Sequence, residues 1–165
     1  MIELEQVTGD PARLREVYGC FPSGVAAVCA MDDGVPVGMA ASSFTCVSLD
    51  PALVSVCVQN SSRTWPRLRG LPRLGVSVLG QDQHGAAGRL AAKEGDRFAG
   101  LDWTETTDGG LLVHGAVAWL DCSIHAEVPA GDHAVVLLAV HGIRAEPNAA
   151  PLVFHASRFR QLVAV

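Results

Sequence analysis

Residues 38–51, with the sequence GMAASSFTCVSLDP, are the stretch around which the rest of this 165-residue chain is organised. The stretch opens as an apolar, strand-like run and then becomes polar at Ser42, Ser43 and Thr45. Small side chains leave the backbone open to a flat ligand, and hydroxyl groups can donate hydrogen bonds to its oxygen and nitrogen atoms. Proline fixes its own φ and restricts the residue before it, so Pro51 ends the extended segment.

A second polar strand end follows soon after the first. The apolar run 53–58 leads into residues 59–64, QNSSRT, which supply further hydroxyl groups and an arginine. Two neighbouring strand ends of this composition suit a ring and a phosphate. Ser, Asn and Asp also favour β-turns for purely local reasons, so the residues by themselves leave a pair of turns open as the alternative.

Composition indicates one folded domain over residues 1–165. The length is sufficient for a full core, and a hydrophobic fraction of 49% argues against disorder. The formal net charge of −5 argues against nucleic-acid binding. No apolar run approaches the ~18 residues of a membrane span, and the N-terminus lacks the pattern of a signal peptide, so we predict a cytoplasmic protein. Five cysteines without CxxC spacing predict reduced, buried thiols.

Hydrophobic periodicity and turn signals predict seven or eight strands and two or three short helices. Asp10 caps a predicted helix over 11–19, and Ser62 caps a second over 62–71, whose N-terminus suits an anion. A third helix is predicted over 81–93. The predicted strands are 25–31, 35–41, 53–58, 74–79, 111–128, 133–145, 151–155 and 158–163. Successive strands with tight turns favour an antiparallel barrel, which removes exposed strand edges.

Other kinds of chemistry have weaker support in the sequence. Short nucleotide-binding and hydrolase motifs are missing from it. His125, His133 and His141 recur every eight residues, but nothing in the sequence makes them converge on a metal, and we predict no metal site. Cys46 with the pair Asp132-His133 would have to converge in the same way to act as a nucleophile and its base.

Six blocks of sequence, in chain order, carry a resemblance to a known family. They are FPSGV (21–25), GMAASSFTCVSLDP (38–51), SSRT (61–64), GDRFAG (95–100), AGDH (130–133) and RFR (158–160). Because the blocks follow one another with little insertion, nearly the whole chain resembles the short-chain NAD(P)H:flavin oxidoreductase family. The resemblance implies a mainly β fold with short helices, an antiparallel split β-barrel of the FMN-binding type.

The resemblance also implies an activity and its partners. Hydride would pass from NADH or NADPH to FMN or FAD in a homodimer, and the reduced flavin would be supplied to a separate flavin-dependent monooxygenase. The flavin and the nicotinamide are the reagents, so the protein would mainly bind and orient them. Neither a nucleic acid nor a membrane is implied as a partner.

The matching blocks imply particular site residues. His133 and Arg160 are predicted to orient the nicotinamide nucleotide at the catalytic centre. An aromatic between two arginines, Phe159, can line a ring pocket. The residues predicted to bind the flavin are Met39, Ala41, Ser42, Ser43, Thr45, Gln59, Asn60, Ser61, Ser62, Arg63, Thr64, Arg97, Phe98 and Phe159.

Two departures from the family pattern weaken parts of this assignment. Gly85 and Gly88 loosen the middle helix, and Ala40-Ala41-Ser42 stands where the family often has Thr-x-Asn. A split-barrel module that binds flavin or haem without turning over NAD(P)H is therefore one alternative. A flavin-dependent oxidase on the same fold is another.

Overall fold

Antiparallel strands are the main secondary structure, and short helices accompany them. The computed structural model describes residues 1–7 and 9–163. The helices in this part of the chain are α1 (Pro11–Tyr18), α2 (Trp65–Leu68) and α3 (His84–Ala91). The strands are β1 (Ser23–Gly24), β2 (Ala26–Asp32), β3 (Val35–Ala41), β4 (Thr45–Leu49), β5 (Ala52–Gln59), β6 (Leu74–Val78), β7 (Trp103–Glu105), β8 (Leu111–Val113), β9 (Ala118–Ala130), β10 (His133–Ala145), β11 (Val153–His155) and β12 (Arg158–Arg160).

Seven of these strands form a curled antiparallel sheet. Their order is β3-β2-β6-β9-β10-β5-β4, so β3 and β4 lie at opposite edges. Only residues 42–44 join these two strands along the chain, and such a link spans roughly 14 Å at most. The two edges must therefore approach each other, which curls the sheet into the split barrel predicted from the sequence.

Two smaller sheets and the three helices of the described residues complete the fold. β1, β11 and β12 form a three-stranded sheet, and β7 pairs with β8. The side chain of Asp10 accepts a hydrogen bond from the N–H of Ala12 at 2.9 Å and begins α1, with Pro11 in the first turn. No helix in the described part is long and apolar enough to cross a membrane.

Two groups of buried side chains fill the interior. One lies inside the curled sheet and includes Val56, Leu74 and Leu138, and the other lies under α3 and includes Leu90 and Leu111. Cys29 and Cys122 are completely buried, and burial raises the pKa of each thiol from 9.0 to about 12. All five cysteines are free, as predicted.

Exposure differs from the prediction for three of the thiols. The remaining cysteines, Cys20, Cys46 and Cys57, are exposed, so the prediction that the thiols are buried is wrong for them. Cys46 and Cys57 lie on strands near one edge of the sheet, where alternate side chains face outward. The apolar runs around them gave no indication of which face each thiol would take.

The fold class is confirmed, while several element boundaries were wrong. The described residues form twelve strands and three helices, more strands than the predicted seven or eight. The predicted strand 111–128 is divided between β8 and β9, because the chain turns at Gly115, whose φ is 80°. The polar segment Thr45–Leu49 forms β4, and the helix predicted over 62–71 contains only four residues.

Candidate active site

A cleft of about 690 Å³ opens where several polar segments of the chain meet. It lies between the end of β3, the loop after β5, the last turn of α3 and the start of β10. Its volume falls within the ~300–1,000 Å³ that is usual for small-molecule sites. Eleven of the predicted site residues line it, namely Met39, Ala41, Ser42, Ser43, Gln59, Ser61, Ser62, Arg63, Thr64, Arg97 and His133.

The hydroxyl group of Ser43 ties the 42–44 loop to β5 beside this cleft. Its Oγ accepts a hydrogen bond from the backbone N–H of Cys57 at 2.8 Å and donates one to the Cys57 carbonyl at 3.2 Å. The side chain of Ser43 thus forms hydrogen bonds with both the N–H and the carbonyl of Cys57 on β5. In a continuous sheet the backbone of a neighbouring strand would pair with these two groups. Ser43 therefore fixes the 42–44 loop and has no hydroxyl proton left to donate to a ligand.

The backbone of the same loop remains available. Among the described residues, the N–H groups of Ser42 and Ser43 form no hydrogen bond, and the side chain of Ser42 forms none either. Ser42 is exposed beside the cleft. Free N–H groups at a rigid strand end can donate to carbonyl oxygens and ring nitrogens of a flat ligand.

In the loop after β5, some polar groups form hydrogen bonds within the protein and others are exposed to the cleft. Asn60 donates from its side-chain amide to the carbonyl of Gly131 at 3.1 Å and from its backbone to that of Asp132 at 2.9 Å. Ser62 Oγ accepts from the N–H of Trp65 at 3.1 Å, which begins α2. Ser61 is exposed to the cleft.

Two arginines line the cleft, and they differ in whether their guanidinium groups already have partners in the protein. The guanidinium of Arg97 donates from Nη1 to the carbonyl of Gly38 at 3.0 Å and to Thr64 Oγ1 at 2.6 Å. Arg63 is exposed and forms no ion pair with any described carboxylate. A phosphate placed here would meet one free guanidinium and a second that is already fixed in position.

His133 also lines the cleft, from the first position of β10. Its Nδ1 lies 2.6 Å from Oδ1 of Asp132, while 35% of the imidazole side chain is exposed. This hydrogen bond, followed by the charge of the imidazolium, lowers the pKa of Asp132. A carboxylate at Nδ1 places the proton of the neutral ring on that nitrogen, so Nε2 is left as an acceptor.

Five of the predicted site residues lie outside the cleft. Thr45 is on β4, and Asn60 holds the turn before His133. Phe98 lines a smaller adjoining cavity. The ring of Phe159 packs on that of Phe154, and its centroid lies 6.4 Å from the centroid of the His84 ring. His84 begins α3, at the opposite end of the helix from the cleft. Arg160 follows Phe159 on β12 and is exposed.

The sequence analysis missed other residues that line the cleft. They are Ala40, Cys57, Val58, Leu90, Ala91, Lys93 and Glu94. The last four lie in the final turn of α3 and just after it, where two glycines had weakened the helix prediction. Lys93 is the only lysine of the chain, and that was the one sequence signal that pointed to this segment.

The alternative constellations do not assemble. The described residues contain no group of three or more His, Cys, Asp or Glu side chains placed to hold a metal ion. Cys46 pairs with Val54, and the whole of β5 separates its strand from the one that begins with His133. His141 instead lies 2.7 Å from the hydroxyl of Ser123, away from the cleft.

Comparison with known proteins decides the family. The family described as "Flavin reductase like domain" matches residues 18–163. A flavin reductase from Pseudomonas putida is 39% identical over 157 residues, which are 94% of this chain and 92% of that protein. The chain belongs to the flavin reductase-like family. The reductase subunit of a flavin-dependent monooxygenase from Rhodococcus jostii is 37% identical over 91% of this chain and 77% of its own.

Solved structures of this family have the same fold. An NADH:FAD oxidoreductase from Streptomyces globisporus, in complex with NAD and FAD fragments, superposes with a TM-score of 0.90 at 39% identity over 98% of each chain. Nitrilotriacetate monooxygenase component B from Mycobacterium thermoresistibile gives a TM-score of 0.89 at 35% identity, covering 93% of this chain and 87% of that one.

Proposed function

We propose that this flavin reductase oxidises NADH, transfers the hydride to a flavin and releases the reduced flavin to a separate monooxygenase. One observation carries the proposal. The two polar strand ends meet His133, which lies about 70 residues further along the chain, on a single cleft of about 690 Å³. Relatives whose names include a flavin reductase and monooxygenase reductase subunits support the activity and its partner.

The residues of the cleft fit a flavin. Unpaired backbone N–H groups at Ser42 and Ser43 suit the carbonyl and ring nitrogen atoms of the isoalloxazine, where negative charge gathers on reduction. Ser61 and Arg63 suit a ribityl chain and a phosphate. The flavin supplies the hydride acceptor when it is bound. The contribution of the protein is to hold two rings close together in a cleft with rigid walls.

His133 is positioned for the nicotinamide. Its imidazole is held by Asp132 and its turn by Asn60, so the ring has a fixed place at the edge of the cleft. An acceptor at Nε2 suits the N–H groups of a carboxamide. We therefore assign His133 to orienting the hydride donor.

NADH is the donor that we propose in preference to NADPH. A relative named NADH-dependent FAD reductase, from Streptomyces globisporus, is 39% identical over 92% of this chain and 86% of its own. The carboxylate of Asp132, 2.6 Å from Nδ1 of His133, would repel the additional phosphate of NADPH if that phosphate lay beside this histidine.

The test is a steady-state assay with purified protein, NADH or NADPH, and FMN or FAD in excess. We expect nicotinamide absorbance to fall only when both flavin and enzyme are present, with a higher kcat/KM for NADH. A protein that binds flavin but oxidises neither nucleotide would be a flavin-binding module. A higher kcat/KM for NADPH would contradict the choice of donor while leaving the reductase in place.

A further inference from the structure

A second, smaller cavity adjoins the cleft at its phosphate end. Its volume is about 230 Å³, and it shares Arg63, Thr64 and Arg97 with the cleft. The remaining lining residues are Pro36, Val37, Gly38, Arg67, Gly95, Asp96 and Phe98. A volume below the ~300–1,000 Å³ of typical ligand pockets suits part of a ligand better than a complete one.

The smaller cavity has a wall fixed by hydrogen bonds and a lining that contains three arginines and one aspartate. Arg97 binds Gly38 and Thr64, and the N–H of Phe98 donates to Asp96 Oδ1 at 2.9 Å, which fixes the 95–98 loop against β3. Arg63, Arg67 and Arg97 line the cavity together with Asp96. They are accompanied by the aromatic ring of Phe98. Arg67 also forms an exposed ion pair, because its Nε lies 2.7 Å from Oδ2 of Asp32.

We propose that this smaller cavity binds the adenosine monophosphate half of FAD, so that the enzyme binds FAD more tightly than FMN. Because Arg63 lies where the two cavities meet, a flavin whose phosphate lies there has its 5′ end directed towards the smaller cavity. Arginines suit the second phosphate, and an aromatic face beside them suits a purine. The inference rests on the proposed function, since it extends the same flavin site.

The series riboflavin, FMN and FAD separates the two cavities. FMN adds one phosphate to riboflavin, and FAD adds adenosine monophosphate to FMN. We expect affinities, measured by quenching of flavin fluorescence or by calorimetry, to rise at both steps. The second step should amount to about ten-fold, the affinity ratio for one or two additional polar contacts.

Matched arginine variants locate each step. Arg67→Ala should weaken FAD roughly three- to ten-fold and leave FMN and riboflavin within about two-fold, because Arg67 lines only the smaller cavity. Arg63→Ala should remove the difference between riboflavin and FMN. Arg69→Ala is the control, since Arg69 also forms an exposed ion pair, with Glu127, but lines neither cavity. Loss of either exposed pair costs the fold little.

The outcomes separate this inference from the proposed function. Equal affinities of the parent protein for FMN and FAD would overturn the smaller cavity as a subsite and leave a flavin reductase. An Arg67→Ala protein that loses FMN and FAD affinity equally would overturn it as well. A parent protein that binds no flavin at all would overturn the proposed function together with the inference.

Discussion

The hydroxyl of Ser43 ties the 42–44 loop to β5 beside the cleft. It replaces the backbone partner that Cys57 would have in a closed barrel, through bonds of 2.8 and 3.2 Å. The 42–44 loop is held while its own N–H groups stay free. The sequence predicted that Ser43 lies at the site, but its hydroxyl bonds to the protein.

Replacing Ser43 by alanine should weaken flavin binding through the loss of this support. We expect the dissociation constant for flavin to rise roughly five- to ten-fold, since each hydrogen bond that holds the loop contributes about 1 kcal/mol net. Ser43→Thr retains the hydroxyl and should restore most of the affinity. Ser123→Ala removes a hydroxyl bonded to His141 outside the cleft and serves as control. Parent-like flavin affinity in Ser43→Ala would remove Ser43 from this role.

His133 and His141 lie on the same strand and differ in their relation to the cleft. His133→Ala should lower kcat/KM for NADH by ~10–100-fold, because a positioning contact worth about 1.4–2.7 kcal/mol is lost. Flavin affinity should stay within about two-fold of the parent. His141→Ala should change neither quantity, since that imidazole lies away from the cleft. Equal kcat/KM values for the two variants would show that His133 takes no part in binding the nicotinamide.

At the scale of elements, the contact of β6 with β8 leaves no space for a side chain at Gly75. A Cβ built there would lie 2.1 Å from the carbonyl oxygen of Leu111, a backbone atom that cannot move aside alone. Gly75→Ala should therefore lower the free energy of unfolding by about 3 kcal/mol, the upper end for overpacked cores. Gly88→Ala is the matched control, because nothing lies within 4 Å of that position in α3.

The control has an expected sign of its own. A glycine inside a helix is less stable than alanine, so Gly88→Ala should raise the free energy of unfolding by about 0.5–1 kcal/mol. Urea titration of both variants measures the two changes. Similar stabilities for Gly75→Ala and the parent protein would contradict the close packing of β6 on β8.

Strands with both faces apolar were the elements best predicted from the sequence. The start of β10 was found because seven apolar residues follow one another there, and β5 because five of the six residues 53–58 are apolar. The sequence did not predict β4 as a strand distinct from β3. Ser42 and Ser43 have the composition of an ordinary turn, and only the curled sheet shows that a new strand begins after them. The 111–128 segment looked continuous, since Gly115 alone marks the bend between β8 and β9.

The two polar segments of the candidate site were predicted from the sequence. The residues at the end of α3 that also line the cleft were not predicted. Ser42, Ser61 and Arg63 were assigned from hydroxyl and arginine content, and they do line the cleft. Phe159 and Arg160 were assigned through a sequence block that folds against the far end of α3. Local sequence carries no information on which end of a helix a distant hairpin will cover.

At the scale of the whole molecule, the outer face of β10 indicates a partner surface. Val136 and Leu138 are buried in the core, and Val135, Leu137 and Ala139 on the opposite face are only partly covered. An antiparallel strand with one face in water normally alternates apolar and polar residues. We therefore propose that this face covers the same face of a second copy in the homodimer predicted from the sequence.

Charge on this face should separate the two copies. Sedimentation of the parent at micromolar concentration should give about twice the chain mass, and Leu137→Lys should give one chain mass, because a buried charge is costly. Val35→Lys is the control, since Val35 is 53% exposed at the β3 edge. A parent protein that sediments as a monomer would contradict the proposed dimer.

We propose that the cleft between the two polar strand ends brings nicotinamide and flavin together for hydride transfer. Anaerobic rapid mixing of the protein and equimolar FAD with NADH tests it most directly. We predict that oxidised-flavin absorbance falls in one phase, that one NADH is consumed per flavin, and that NADH deuterated at the transferred position slows this phase several-fold. A flavin that binds and stays oxidised in the presence of NADH would contradict the account.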